Sequence, residues 1–204
     1  MPTYALLGAT FAFAAVVQPG PLQAYLIAQA ANHGWKRTLP AAFSPLLSDG
    51  PIVVVAVLVL SRLPEWFALW LRLAGGIFVL YLAYGAFRTW RAWDRRAATR
   101  APSGSQTLLK ATTVNLLNPN PWISWSLVMG PLLLQAWREA PACGIALLAG
   151  FYGVLVAGNA GVIAIFGMAA GLGSQVSRGL IGLSTMALAG FGGYLLWSAA
   201  GMSR

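Results

Sequence analysis

The chemistry open to this chain is narrow. Its 204 residues include four acids, Asp49, Glu65, Asp94 and Glu139, with one histidine, His33, and one cysteine, Cys143. Asp49 is the acid that falls well inside an apolar stretch, FSPLLSDGPIVVVAV (43–57). A carboxylate at membrane depth is costly and usually functional, so Asp49 is a candidate to bind a substrate amine or to carry a coupling proton. A structural reading stands beside it: Ser48-Asp49-Gly50-Pro51 also fits a helix start, with Asp as the cap and Pro51 in the first turn.

Two proline motifs interrupt other apolar runs: QPGP at Gln18, Pro19, Gly20 and Pro21, and NPNP at Asn118, Pro119, Asn120 and Pro121. Proline removes a backbone N–H and pushes the residue before it out of the helical region. Prolines spaced by one residue predict a locally unwound segment. Unwound backbone at membrane depth is tolerated where it is buried in protein or lines a watery cavity. Pro21 and Pro121 are each placed to open a new half-helix. The free N–H groups and partial positive charge of such an end suit a carboxylate. The simpler alternative is a pair of structural kinks. Asn115 beside the second break, with Gln18 and Gln23 beside the first, offers amides to a substrate or to the freed backbone. Asn159 lies between Gly158 and Ala160, where it would bind substrate, brace the site or join two helices. His33 reads as an interfacial loop residue.

These inventories also exclude. There is no HExxH, no nucleophile with a base and no intramembrane pair of acids, so no enzyme is expected. A single thiol excludes an internal disulfide, a CxxC pair and a cysteine metal cluster, and no metal site or cofactor is expected. Hard cations want several oxygen ligands, which leaves a metal-ion transporter as a lesser alternative, beside a non-transporting membrane scaffold.

The elements that must position these residues are membrane helices. The chain is 58% hydrophobic and 8% charged, with a mean hydropathy of +0.70. About 20 apolar residues span a bilayer. Six such runs are read at about 4–31, 38–60, 66–87, 108–134, 142–170 and 179–200. The fold class is therefore an all-α membrane protein, one transmembrane domain over 1–204. The first run lacks a basic flank and reads as a retained helix rather than a signal peptide.

Two halves follow one plan. Repeat one (1–95) and repeat two (105–204) each begin with a proline-broken helix. Each continues with a helix carrying a polar residue among small ones (Ser48-Asp49-Gly50; Gly158-Asn159-Ala160). Each ends on a Gly-rich aromatic helix, LAGGIFVLYLAYG (73–85) or LAGFGGYLLWSAAG (188–201). With three spans per half the second copy enters inverted, a transporter design. The Gly/Ala-rich third and sixth helices allow close packing, internally or in a homodimer.

Nine of the thirteen basic residues fall in or beside the odd loops, six of them around the long loop 88–107. The positive-inside rule then places the odd loops in the cytoplasm and both termini outside. RTWRAWDRRAATR (Arg88–Arg100) interleaves basic and aromatic residues, as a juxtamembrane contact with anionic lipid does; nucleic acid is not an expected partner.

The chain resembles the lysine exporter superfamily of the LysE/RhtB type. The resemblance rests on PGP (19–21) followed by Gly34, Lys36 and Arg37; on Ser48-Asp49-Gly50; on LAGGIFVLYLAYGAFR (73–88); and on LLKATTVNLLNPNPW (108–122). It implies a small inner-membrane exporter of amino acids or related metabolites, driven by an ion gradient. It implies a site around Pro19–Pro21, Asp49 and Asn118–Pro121. The chain departs from the family pattern at Asn120, where a Lys is frequent, at Pro45 in a segment that often holds Gly, and at Asn159, where an acid is frequent. A lysine specificity is therefore not carried over.

Overall fold

The computed structural model describes residues 1–18, 20–59, 65–91 and 103–202, which are helical almost throughout and include no strand. Helix α1 (Pro2–Val17) and helix α2 (Pro21–His33) bend by 64° at the first proline motif. Pro19 itself lies outside the described residues. Helix α2 stops at Gly34, whose φ of 82° is a left-handed conformation that glycine adopts without a Cβ penalty. A short helix α3 (Trp35–Thr38) and a 3-10 stretch (Leu39–Phe43) lead into α4 (Ser44–Val59).

Helix α5 (Glu65–Arg91) covers the third expected run. The fourth run is divided into α6 (Gly104–Leu117), α7 (Pro119–Ser124), a π-helical turn (Trp125–Met129) and α8 (Gly130–Glu139). Ser103 and Gln106 start α6 with a capping box, each side chain accepting from the other's backbone N–H. Helices α9 (Pro141–Ala170) and α10 (Ser174–Met202) complete the chain. By length and composition Trp35–Ala56, Pro141–Ala170 and Gln175–Gly201 can each cross a bilayer, and the bent pair α1–α2 adds a fourth such run.

Two sequence expectations change. Pro51 is inside α4, so Ser48-Asp49-Gly50-Pro51 is not a helix start and the Asp49 carboxyl is not a cap. The second break opens its new helix at Pro119 rather than Pro121. Asn118 is the reason: its side-chain oxygen accepts from the Asn120 N–H at 3.1 Å, fixing the cap two residues earlier. Gly20 has no such side chain, and α2 begins at Pro21 as expected.

Packing depends on small residues, as it must where lipid removes the hydrophobic drive between helices. A Cβ at Gly8 of α1 would fall on the Leu147 carbonyl of α9, and one at Gly150 of α9 on the Ala5 carbonyl of α1. Gly76 of α5 and Gly192 of α10 face each other's helices in the same way, against Leu196 and Leu80. The Gly-rich helices of the two halves thus pack on one another within the chain. Large side chains such as Trp70, Ile77, Tyr81, Tyr194 and Trp197 are left on the outside, as suits a lipid-facing surface.

The core is in two parts. A first apolar cluster joins α1, the end of α4, the segment from α7 to α8 and the first half of α9, including Val16, Ile52, Trp122, Trp125, Phe151 and Leu155. A second joins α2, the 3-10 stretch, α5, α6, α10 and the second half of α9, including Leu22, Ala42, Val114, Ile163 and Leu188. Four of the chain segments that pass between the clusters are polar or broken at the crossing; a fifth, from Ala56 to Val79, runs through residues outside the described ones. The four lie at Gln18 and Gly20 between Val16 and Leu22; at Ser44, Ser48 and Asp49 between Ala42 and Ile52; at Asn115 to Asn118 between Val114 and Trp122; and at Asn159 between Leu155 and Ile163. Far from this seam, the Tyr4 hydroxyl donates to Glu139 at 2.7 Å and ties the start of α1 to the end of α8.

Gly150→Ala should lower thermal stability in detergent by about 1–3 kcal/mol, the usual range for overpacking. Gly153→Ala, three residues on with nothing within 4 Å of the added carbon, should leave the melting curve unmoved or slightly raised.

Candidate functional site

The two breaks and Asp49 meet at one cavity of about 250 Å³. Of the residues singled out in the sequence, Gln18, Gly20, Asp49, Asn115, Asn118, Asn120 and Pro121 line it. Pro21 and Pro119 are buried as the first residues of α2 and α7 and do not line it. Asn159 also stands apart: it is fully buried, one helical turn beyond the lining residue Leu155. Pro19 lies outside the described residues.

Asp49 is 2% exposed and held by side chains from two other segments and by its own neighbour. The Asn115 amide donates to Oδ1 at 3.0 Å, and the Ser48 hydroxyl is 3.4 Å from the same oxygen. The Trp125 indole N–H donates to Oδ2 at 3.3 Å. Asn115 further donates to the Ser48 hydroxyl at 2.7 Å, and Ser48 to the Ser44 carbonyl at 3.1 Å. All of these partners are neutral; among the described residues no Lys or Arg pairs with Asp49. The group is thus desolvated and oriented, but it has no counter-ion from the protein.

The breaks are mended by similar means. At the first, the Gln23 amide reaches back to the Ala15 carbonyl at 3.4 Å. At the second, the Trp122 indole reaches back to the Leu116 carbonyl at 2.8 Å. In each case a side chain of the new helix satisfies a carbonyl that the break would leave free. The Asn120 N–H is taken by Asn118, so the second break is capped by its own sequence. The first is not: the first-turn amides of Leu22 and Gln23 have no acceptor within α2, and both residues line the cavity.

The aromatic wall was not legible in the sequence. Trp125, Phe151 and Tyr152 contact one another, with ring centroids 5.1–6.4 Å apart, and Trp125 sits in the π turn. That turn has a local cause in the sequence. Gly130 N–H bonds to the Trp125 carbonyl five residues back, and Pro131 has no N–H to continue an ordinary ladder. His33 is away from the cavity and in contact with the Asn32 amide at 3.2 Å. Burial, and then the charges of Arg37 and Lys110, hold its pKa below the ordinary value. Among the described residues no three His, Cys, Asp or Glu gather as a metal site would require.

The model of one protein family, described as LysE type translocator, matches residues 13–199, a range that includes both breaks, Asp49 and Asn159. No curated protein and no solved structure matches the chain.

Asn115→Ala removes the donor shared by Asp49 and Ser48 inside the seam. A loss of about 1–3 kcal/mol in thermal stability is expected, the cost of leaving buried polar groups unmatched. Asn120→Ala, on the exposed side of the cavity, should stay within about 0.5 kcal/mol of the parent in the same melt.

Proposed function

The chain belongs to the LysE type translocator family, whose members are transporters rather than enzymes, and we propose that it exports amino acids or similar small metabolites across the cytoplasmic membrane by alternating access coupled to a proton gradient. The observation that carries this reading is Asp49: a buried carboxyl with three neutral hydrogen-bond partners and, among the described residues, no cationic one, on the wall of a cavity bordered by two broken helices. A transported ammonium group, or a coupling proton, is the charge that such a site lacks.

The substrate's carboxylate belongs at the first break. There the first-turn amides of Leu22 and Gln23, which have no acceptor within α2, and the positive end of that helix offer what an anion needs. A cavity of about 250 Å³ is at the small end for ligand sites, which supports a metabolite of amino-acid size. Gln18, Asn118 and Asn120 supply neutral hydrogen-bonding groups around the rest of it.

The six-span inverted arrangement goes with this reading. Helix α1 packs along α9, the second helix of the opposite half, and α6 packs along α4 in the same relation. The α5–α10 contact pairs the third helix of each half. The odd loops face the cytoplasm and both termini face outward. Arg88 and Arg91 are exposed at the end of α5, where anionic lipid would sit; Arg95, Arg96 and Arg100 fall outside the described residues. Gly76 of α5 and Gly192 of α10 are occupied by each other's helices, whereas Gly190, Gly193 and Gly201 of α10 meet nothing within 4 Å and leave a small-residue surface on which a homodimer would form.

The test is flux in proteoliposomes loaded with labelled amino acids under an imposed pH gradient. Wild type should move one class of amino acid. Asp49→Asn, which keeps shape but cannot hold the charge, should lose gradient-driven flux by at least about tenfold while reconstituting normally. Equal flux from the two would overturn the role given to Asp49.

A further inference from the structure

Two buried polar side chains next to the cavity have nothing to bond to. Asn159 is 0% exposed, and neither its amide nitrogen nor its oxygen has a hydrogen-bond partner among the described residues; the Ser44 hydroxyl, also 0% exposed, is in the same condition. An unmade hydrogen bond in a dry interior is more costly than an apolar side chain of the same size, so in this conformation both residues are a liability. Such groups call for an explanation outside the static packing.

Their placement gives one. Asn159 is one turn past Leu155, and Ser44 adjoins Pro45; Leu155 and Pro45 both line the cavity. Helix α4 enters the first apolar cluster as its numbering rises, whereas α9 leaves it, so the two run antiparallel. Both orphaned groups therefore sit on the same side of the Asp49 level, toward the second cluster. Ser44 is also linked to the site through its carbonyl, which accepts from Ser48, which accepts from Asn115. The polar seam thus continues beyond the cavity, along α4 to Ser44 and along α9 to Asn159, on the side bordered by the second apolar cluster.

We propose that Asn159 and Ser44 form a second station for the substrate, closed in this conformation and opened when the second cluster parts from the seam. This rests on the transporter reading above and adds where the substrate goes after Asp49. A neutral amide and a hydroxyl both donate and accept. They suit the ammonium or carboxylate of a small polar metabolite in passage and would hold neither charge strongly. The residue kept unpaired here is paired in the next step of the cycle.

The experiment joins stability to flux in the full-length protein. Asn159→Leu and Ser44→Ala remove the orphaned groups with little change of volume. Both should melt in detergent at or a few degrees above wild type, because nothing satisfied is lost. Both should carry the same labelled amino acids (lysine, glutamate, leucine and threonine as probes) several-fold more slowly, with Asn159→Leu the more impaired. Lower melting temperatures for both variants would mean that the groups are structural, and wild-type flux from both would mean that they lie off the path; either result overturns the second station and leaves the Asp49 site standing. Absence of flux for every probe in wild type would instead remove the amino-acid reading and the station with it.

Discussion

A helix interrupted inside an apolar slab exposes amide and carbonyl groups that water cannot reach, and the rest of this architecture answers that constraint. Gln23 and Trp122 each reach back across a break to a carbonyl of the preceding helix. Asn118 closes one new N-terminus, while the other is left facing the cavity. The asymmetry matters, because it makes one break a brace and the other a candidate anion receptor.

The same constraint explains why the core is divided. Four of the chain segments that cross from one apolar cluster to the other do so through a polar or broken stretch. Had only one of them been polar, its groups would have been stranded in hydrocarbon. With Ser48, Asp49 and Asn115 converging, each supplies what another lacks, and Trp125 completes the set around the carboxyl. Asn159 and Ser44 are the members of the layer for which this mutual supply fails in the present conformation.

What the sequence disclosed was whatever is decided locally or by contradiction. Proline chemistry is local, so QPGP and NPNP announced the breaks; an acid in a run of valines is a contradiction, so Asp49 announced itself. The start of α7 was misplaced by two residues because the cap depends on an Asn118 rotamer that spacing does not reveal. Trp125 was invisible because an aromatic side chain in an apolar run looks the same whether it fills a core or donates to a carboxyl. Its role appears only when the π turn is brought against α4. The π turn itself had a signal in Gly130-Pro131, which follows it directly.

The contact between Tyr4 and Glu139 gains a further meaning from where it sits. It fastens the free end of the first broken helix to the far end of the second, while the two elbows stand against a common cavity. Two bent rods pinned at their tips make a linkage, in which neither elbow flexes alone. Any swing of α1 is delivered to α8, and the pin's single phenol–carboxyl bond sets how firmly the frame stays square.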